Sequence, residues 1–269
     1  RMTDFAFSLV ILACVGMVSG FLAGLLGVGG GLMIVPAIVW VLESAGYLHN
    51  VQHIALGTSL AVMVFTSFAS VRAHHKHKAV DWVIVRRMVP AMVLGTLLGS
   101  QVAGFIPSRD LKWFFVVYAY AIALQMFYNA KPTGARSLPS NTGLWSVSGL
   151  IGVISSFVGI GGGSMSVPFM VWCNVPIQRA IATSAALGWP IAFSGAVGYV
   201  VSGWSAPHLP DHSAGFVYLP ALATLCLITM TVAPLGAKMA HSLPVAQLKK
   251  VFAVLMTLMA SQMLWTLLR

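Results

Sequence analysis

Two runs of glycine lie inside apolar stretches of the chain, and their spacing is suited to binding an anion. Gly27-Val-Gly-Gly-Gly31 and Gly159-Ile-Gly-Gly-Gly163 are each followed by a short apolar stretch that carries a proline, Pro36 or Pro168. Consecutive glycines weaken a helix. They also free backbone groups, which a membrane tolerates only where protein buries them or where they line a wet cavity. A helix that begins just after such a break points its first N–H groups into it, and its dipole adds partial positive charge there. Two such beginnings arriving from opposite faces would make an anion cradle near the midplane. The candidate cradle residues are Gly27, Gly29, Gly30, Gly31, Gly159, Gly161, Gly162 and Gly163. The competing reading is tight helix packing, which the small-residue series Gly16, Gly20 and Gly24 is expected to serve. Neither run is a soluble phosphate loop: no Lys-Ser/Thr follows it, and no strand or suitably spaced acid supports a dinucleotide site.

Hydroxyls supply a second set of candidates. Thr58-Ser59 and Thr183-Ser184 recur as a pair and could donate to an oxyanion from two sides, or could simply bond back to their own helical turn. Ser164 and Ser166 adjoin the second glycine run, where the first run has Leu32 and Ile34. Gln125 and Gln262 are matched amides within apolar stretches, where interhelical hydrogen bonding is the expected use. Arg179 reads as a charge that fixes topology. His74, His75 and His77 stand among Lys76 and Lys78 with no carboxylate or cysteine nearby, so they read as a solvated basic loop and not as metal ligands. Asp4, Glu43, Asp81, Asp110 and Asp211 all fall near segment ends or in loops. A buried carboxylate proton relay is therefore not expected, and no activated nucleophile or metal set points to an enzyme. No cofactor is implied, and an anion is the substrate class that fits.

The elements that must position these residues are membrane helices. Of 269 residues 58% are hydrophobic and only 7% charged, too few charges to clothe a soluble surface. The balance of 15 Lys+Arg to 5 Asp+Glu is placed in short loops, as in a membrane protein and not a nucleic-acid binder. Cys14, Cys173 and Cys226 are far apart within apolar stretches and read as small buried hydrophobes. The first stretch lacks a basic leader and runs into glycines, so it is expected to remain as a span. About 20 apolar residues are needed to cross a bilayer as a helix. The segments fall at roughly 5–27, 32–43, 53–71, 82–104, 111–129, 142–159, 164–175, 180–202, 215–240 and 246–268. Segments 32–43 and 164–175 are too short to cross alone and read as second limbs of broken hairpins.

The halves are copies. The glycine runs, Val35-Pro36 with Val167-Pro168, and Trp40 with Trp172 share one offset, and Thr58-Ser59 with Thr183-Ser184 and Gln125-Met126 with Gln262-Met263 follow in the same order. The expected fold is thus an all-α integral membrane protein of two inverted five-segment repeats, residues 1–130 and 142–269, joined by a cytoplasmic linker 131–141. Inversion follows from loop charge: Arg72 to Lys78 place one loop inside, while 203–214 has no Lys or Arg and is placed outside. Both termini then face outward.

Gly20-Phe-Leu-Ala-Gly-Leu-Leu-Gly-Val-Gly-Gly-Gly31 with Val35-Pro36 resembles the first-repeat signature of the TauE/SafE family of sulfite-exporter-like permeases. Gly152 to Gly163 with Val167-Pro168 resembles the second, and Ala55 to Ser59 and Ala180 to Ser184 are similar to the helices that follow. The resemblance implies a transporter of the bacterial inner membrane that moves sulfite, an organosulfonate or a related small anion. The expected mechanism is alternating access with binding at the helix breaks; a passive anion channel is the alternative.

Overall fold

The computed structural model describes residues 2–26, 30–76, 79–128, 137–239 and 245–268, with the side chains of 2–9, 76, 245, 248 and 249 set aside. Ten helices account for nearly all of it: α1 Met2–Leu26, α2 Gly31–Ser44, α3 Val51–Lys76, α4 Trp82–Ala103, α5 Ser108–Phe127, α6 Asn141–Val158, α7 Gly163–Trp172, α8 Ile177–Gly203, α9 Leu219–Met239 and α10 Val245–Leu268. Among the described residues seven helices, α3 to α6 and α8 to α10, are long and apolar enough to cross a membrane. The half-length segments are real: α2 has 14 residues and α7 has 10.

Helix faces away from the core are apolar too. On α4, Met88, Met92 and Ala103 are buried while Val83, Leu94, Leu98 and Val102 are exposed. A soluble helix would carry polar side chains on that outer face. Lipid is the solvent that suits it, and the chain is a multi-pass membrane protein.

Small residues decide which helices touch. Gly16, Gly20 and Gly24 of α1 meet Leu225, Thr229 and Ala233 of α9, and a Cβ at Gly24 would collide with the Ala233 carbonyl. Gly95 and Gly99 of α4 meet Gly149 and Val153 of α6 in the same way. The order of these contacts gives direction. Along α1 and α9 the numbers rise together, as they do along α4 and α6. On α3 and α8 they oppose: Gly57 meets Tyr199, Gly195 meets Leu60 and Gly188 meets Ser67. Thr58 bonds Tyr218 N just before α9 and Thr66 bonds Thr229 at 2.7 Å, so α9 runs parallel to α3. Thr96 against Gly195 and Ser100 against Gly198 set α4 parallel to α8. Hence α1, α3 and α9 run one way, and α4, α6 and α8 the other.

One end of the bundle is basic. There Arg179 pairs with Asp81 at 3.8 Å, Arg87 donates to Asn141 at 2.7 Å, and Arg72 and Lys238 share a groove. The opposite end holds the Lys112–Glu43 ion pair and the bond from Gln52 N to Ser108 Oγ at 3.0 Å.

Three expectations are corrected. The expected segment 215–240 opens instead with a two-stranded hairpin, β1 Ser213–Ala214 and β2 Val217–Tyr218, and α9 begins only at Leu219. Phe216 in its turn is buried and stacks on His53, so an apolar run that reads as helix is spent on a plug. The basic stretch after residue 71 is not a loop either, because α3 continues to Lys76. His75 is exposed there, but His74 is buried with Nε2 3.2 Å from the Gly24 carbonyl oxygen, so it is no solvated residue; His77 lies outside the described residues. Of the cysteines, all free, only Cys173 is buried; Cys14 is exposed on the lipid side of α1 and Cys226 is half-buried.

Candidate functional site

Both half-helices begin at a glycine in the left-handed conformation. Gly30 before α2 has φ 65° and Gly162 before α7 has φ 72°, where a Cβ is disfavoured. Neither beginning has a side-chain cap. The Gly30 carbonyl accepts from Met33 N and Ile34 N, and the Gly162 carbonyl from Met165 N and Ser166 N. The earlier amides of each helix therefore face the break without a capping side chain, and each end carries roughly half a positive charge from the aligned dipoles.

The two breaks meet. Gly31, the first residue of α2, lies so close to Gly159 that a Cβ on it would strike the Gly159 carbonyl, and Ser59 and Met63 of α3 are its other neighbours. Ser59 Oγ donates to that same Gly159 oxygen at 2.8 Å. Gly161 packs on Met63 and on Gly188. Met63 is midway along α3 and Gly188 is near the middle of α8, so the junction sits at mid-depth.

Other candidates are placed elsewhere. Thr58 Oγ1 accepts from Tyr218 N at 2.9 Å, and Thr183 Oγ1 accepts from Asp81 N at 2.9 Å. These bonds hold the approaches to α9 and α4, at opposite ends of the bundle. Gly57 meets Tyr199, so the two hydroxyls are separated by more than four turns of α8, about 24 Å at the helical rise. Ser164 is turned to Tyr118 of α5, with the hydroxyl oxygens 2.6 Å apart. Ser166 is buried. Gly163 is the first residue of α7, while Gly27 and Gly29 lie outside the described residues. Gln125 and Gln262 are half-buried on α5 and α10, which pack together. Arg179, more than half exposed, lies 3.8 Å from Asp81 at the basic end, away from the junction.

Sequence reasoning missed a small cavity beside the junction, to which the hydroxyl residues Thr66, Ser67 and Ser70 of α3 and Ser184 of α8 contribute together with Gly161. The signal was available. Residues 66, 67 and 70 share a helix face, and their matches in the second half, Ile191, Ala192 and Gly195, carry no hydroxyl. Among the described residues no group of three His, Cys, Asp or Glu is arranged to hold a metal.

Comparison with known proteins places this arrangement. A family model described as Sulfite exporter TauE/SafE matches residues 12–263. A probable membrane transporter protein of Haemophilus influenzae is 37% identical over 258 residues, covering 94% of this chain and 97% of that one. One of Methanocaldococcus jannaschii is 26% identical over 266 residues, 97% of each chain. A third, from Bacillus subtilis, is 29% identical over 217 residues, 73% of this chain and 80% of its own. No solved structure matches.

Proposed function

The chain belongs to the TauE/SafE sulfite exporter family of membrane transporters, and we propose that it is a secondary carrier of a small anion, sulfite, an organosulfonate or a related oxyanion, working by alternating access. The observation that carries this reading is the junction at mid-depth, where the start of α2 abuts the second glycine break and Ser59 ties the two together. Uncapped helix beginnings there offer donors and positive potential to an anion, with no basic side chain to trap it permanently.

The motion proposed is rocking of one inverted repeat, residues 1–130, against the other, residues 142–269, across the linker 131–141. Helix directions support inversion, since α1, α3 and α4 run opposite to their sequence counterparts α6, α8 and α9. Matched bonds support it as well. His74 on Gly24 O is paralleled by Tyr199 on Ser156 O at 2.8 Å, and Ala79 N on His74 O by Phe216 N on Tyr199 O. The basic end is the cytoplasmic one in this reading, and both termini face outward.

Flux of labelled sulfite and organosulfonates into proteoliposomes tests the proposal. Saturable uptake, accelerated by unlabelled anion on the far side, is expected. Flux that never saturates would mean a channel, and absence of flux for every small anion in folded protein would overturn the anion reading.

A further inference from the structure

On the basic side of mid-depth, hydroxyls of α3 and α8 line a cavity. Between mid-depth and the basic end, Thr66, Ser67 and Ser70 of α3 face Ser184 and Gly188 of α8 across a narrow cavity floored by Gly161, with about 10 Å³ of room, enough for a single water. Ser70 is 2% exposed and its hydroxyl has no partner among the described residues. A buried hydroxyl left without a partner is costly, and a water or ligand in the cavity beside it would satisfy it. Thr66 is already bonded to Thr229, which fixes one wall.

Across mid-depth the positions that correspond to Thr66, Ser67 and Ser70 carry no hydroxyl. At the offset that pairs Thr58-Ser59 with Thr183-Ser184, the matches of Ser67, Ser70 and Gly188 are Ala192, Gly195 and Met63. Met63 and Leu60, both fully buried, fill that side, with Met63 Cε against Gly161 and Leu60 Cδ1 against Gly195. The site thus has hydroxyls toward the basic end and an apolar stopper toward the other.

We propose that this cavity is the anion's seat, with Ser67, Ser70 and Ser184 as hydroxyl donors and Leu60 with Met63 closing it from the opposite end. The assignment rests on the carrier reading above and names the residues that would bind. Three observations select an anion over a sodium ion, which hydroxyls also coordinate. No carboxylate lines the cavity. Gly30, at the positive beginning of α2, packs beside Ala23, which lines the same space. Arg72 lies two residues beyond Ser70 and joins Lys238 at the basic end. The lining also selects size. Among the described residues no aromatic or long apolar side chain lines the cavity, which as it stands holds no more than a water, so the ligand is a bare, compact oxyanion, admitted only when the basic end loosens and the cavity widens.

The test uses the full chain in detergent, with binding read by thermal shift and calorimetry. The probes are sulfite, sulfate, an organosulfonate and sodium chloride alone. Ser70→Ala is expected to weaken sulfite binding about tenfold or more, the size of a hydrogen bond to a charged group, and Ser67→Ala/Ser70→Ala further. Ser148→Ala, at a buried serine of α6 outside the cavity, should bind as wild type does. Ser70→Cys in a background lacking the three native cysteines should be alkylated slowly, and more slowly still with sulfite present. A double variant that binds like wild type would sink the cavity while leaving the carrier reading intact. Failure of wild type to bind or move any anion would sink both. Stabilisation by sodium alone, or tighter binding of the organosulfonate than of sulfite, would also overturn the assignment.

Discussion

Adjacent hydroxyls on one helix do different jobs here because successive residues point about 100° apart. Thr58 of α3 reaches the backbone that leads into α9, at Tyr218 N, and Thr183 of α8 the backbone that leads into α4, at Asp81 N, whereas Ser59 faces the glycine break. Sequence suggested that the two Thr-Ser pairs correspond, but not which hydroxyl faces the centre, because helix rotation is set by packing partners far along the chain. Removing a threonine hydroxyl leaves a partly buried N–H unpaired. Thr183→Val should therefore cost about 1–3 kcal/mol of stability and leave the KM for the transported anion near wild type. A KM raised with stability unchanged would put Thr183 in the binding site instead. The same logic explains Ser164, whose position next to the glycine run suggested a cradle but whose hydroxyl is taken by Tyr118.

At the scale of elements, the breaks and half-helices were legible because twelve apolar residues cannot cross a bilayer, and glycine runs cannot sit facing lipid. The plug around Phe216 was not, because Phe216-Val-Tyr is apolar enough to pass for helix, and only the burial of Phe216 between Gly57 and Gly203 reveals its use. His74 was misjudged for a similar reason: lysine neighbours suggested solvent, yet the helix turns this one ring inward onto the end of α1. The interface of α1 with α9 depends on the absence of side chains. Gly24→Leu should destabilise the fold by about 1–3 kcal/mol or more through overpacking, seen as a lower unfolding temperature in detergent. Gly46→Ala, at an open turn position, should cost less despite its φ of 87°, since a Cβ there meets nothing within 4 Å. Equal losses at the two sites would mean that close approach is not what Gly24 provides. Tyr199→Phe removes one bond to Ser156 O and should cost about 1 kcal/mol.

For the whole molecule, composition alone required a membrane, and the apolar outer faces of α4, α5 and α10 agree with it. Loop charge suggests opposed halves, and the inversion proposed above accords with α1, α3 and α4 running opposite to α6, α8 and α9. What sequence could not supply was the polarity of the centre, because Thr66, Ser67 and Ser70 have no counterparts to mark them as a set. Orientation is open to labelling. In a background without native cysteines, Ser205→Cys should react with an impermeant reagent from outside the cell and His75→Cys only from within. The reverse pattern would turn the bundle over and place the serine cavity toward the exterior.

The central claim, that an anion is carried through the junction of the two glycine breaks, is tested most directly by exchange of labelled sulfite in proteoliposomes, comparing wild type with Gly31→Val. The wild type should show saturable exchange that rises with unlabelled sulfite on the far side. The variant, whose new side chain would collide with the Gly159 carbonyl, should insert and remain folded while losing most of that exchange. Exchange by folded Gly31→Val at the wild-type rate would contradict the account.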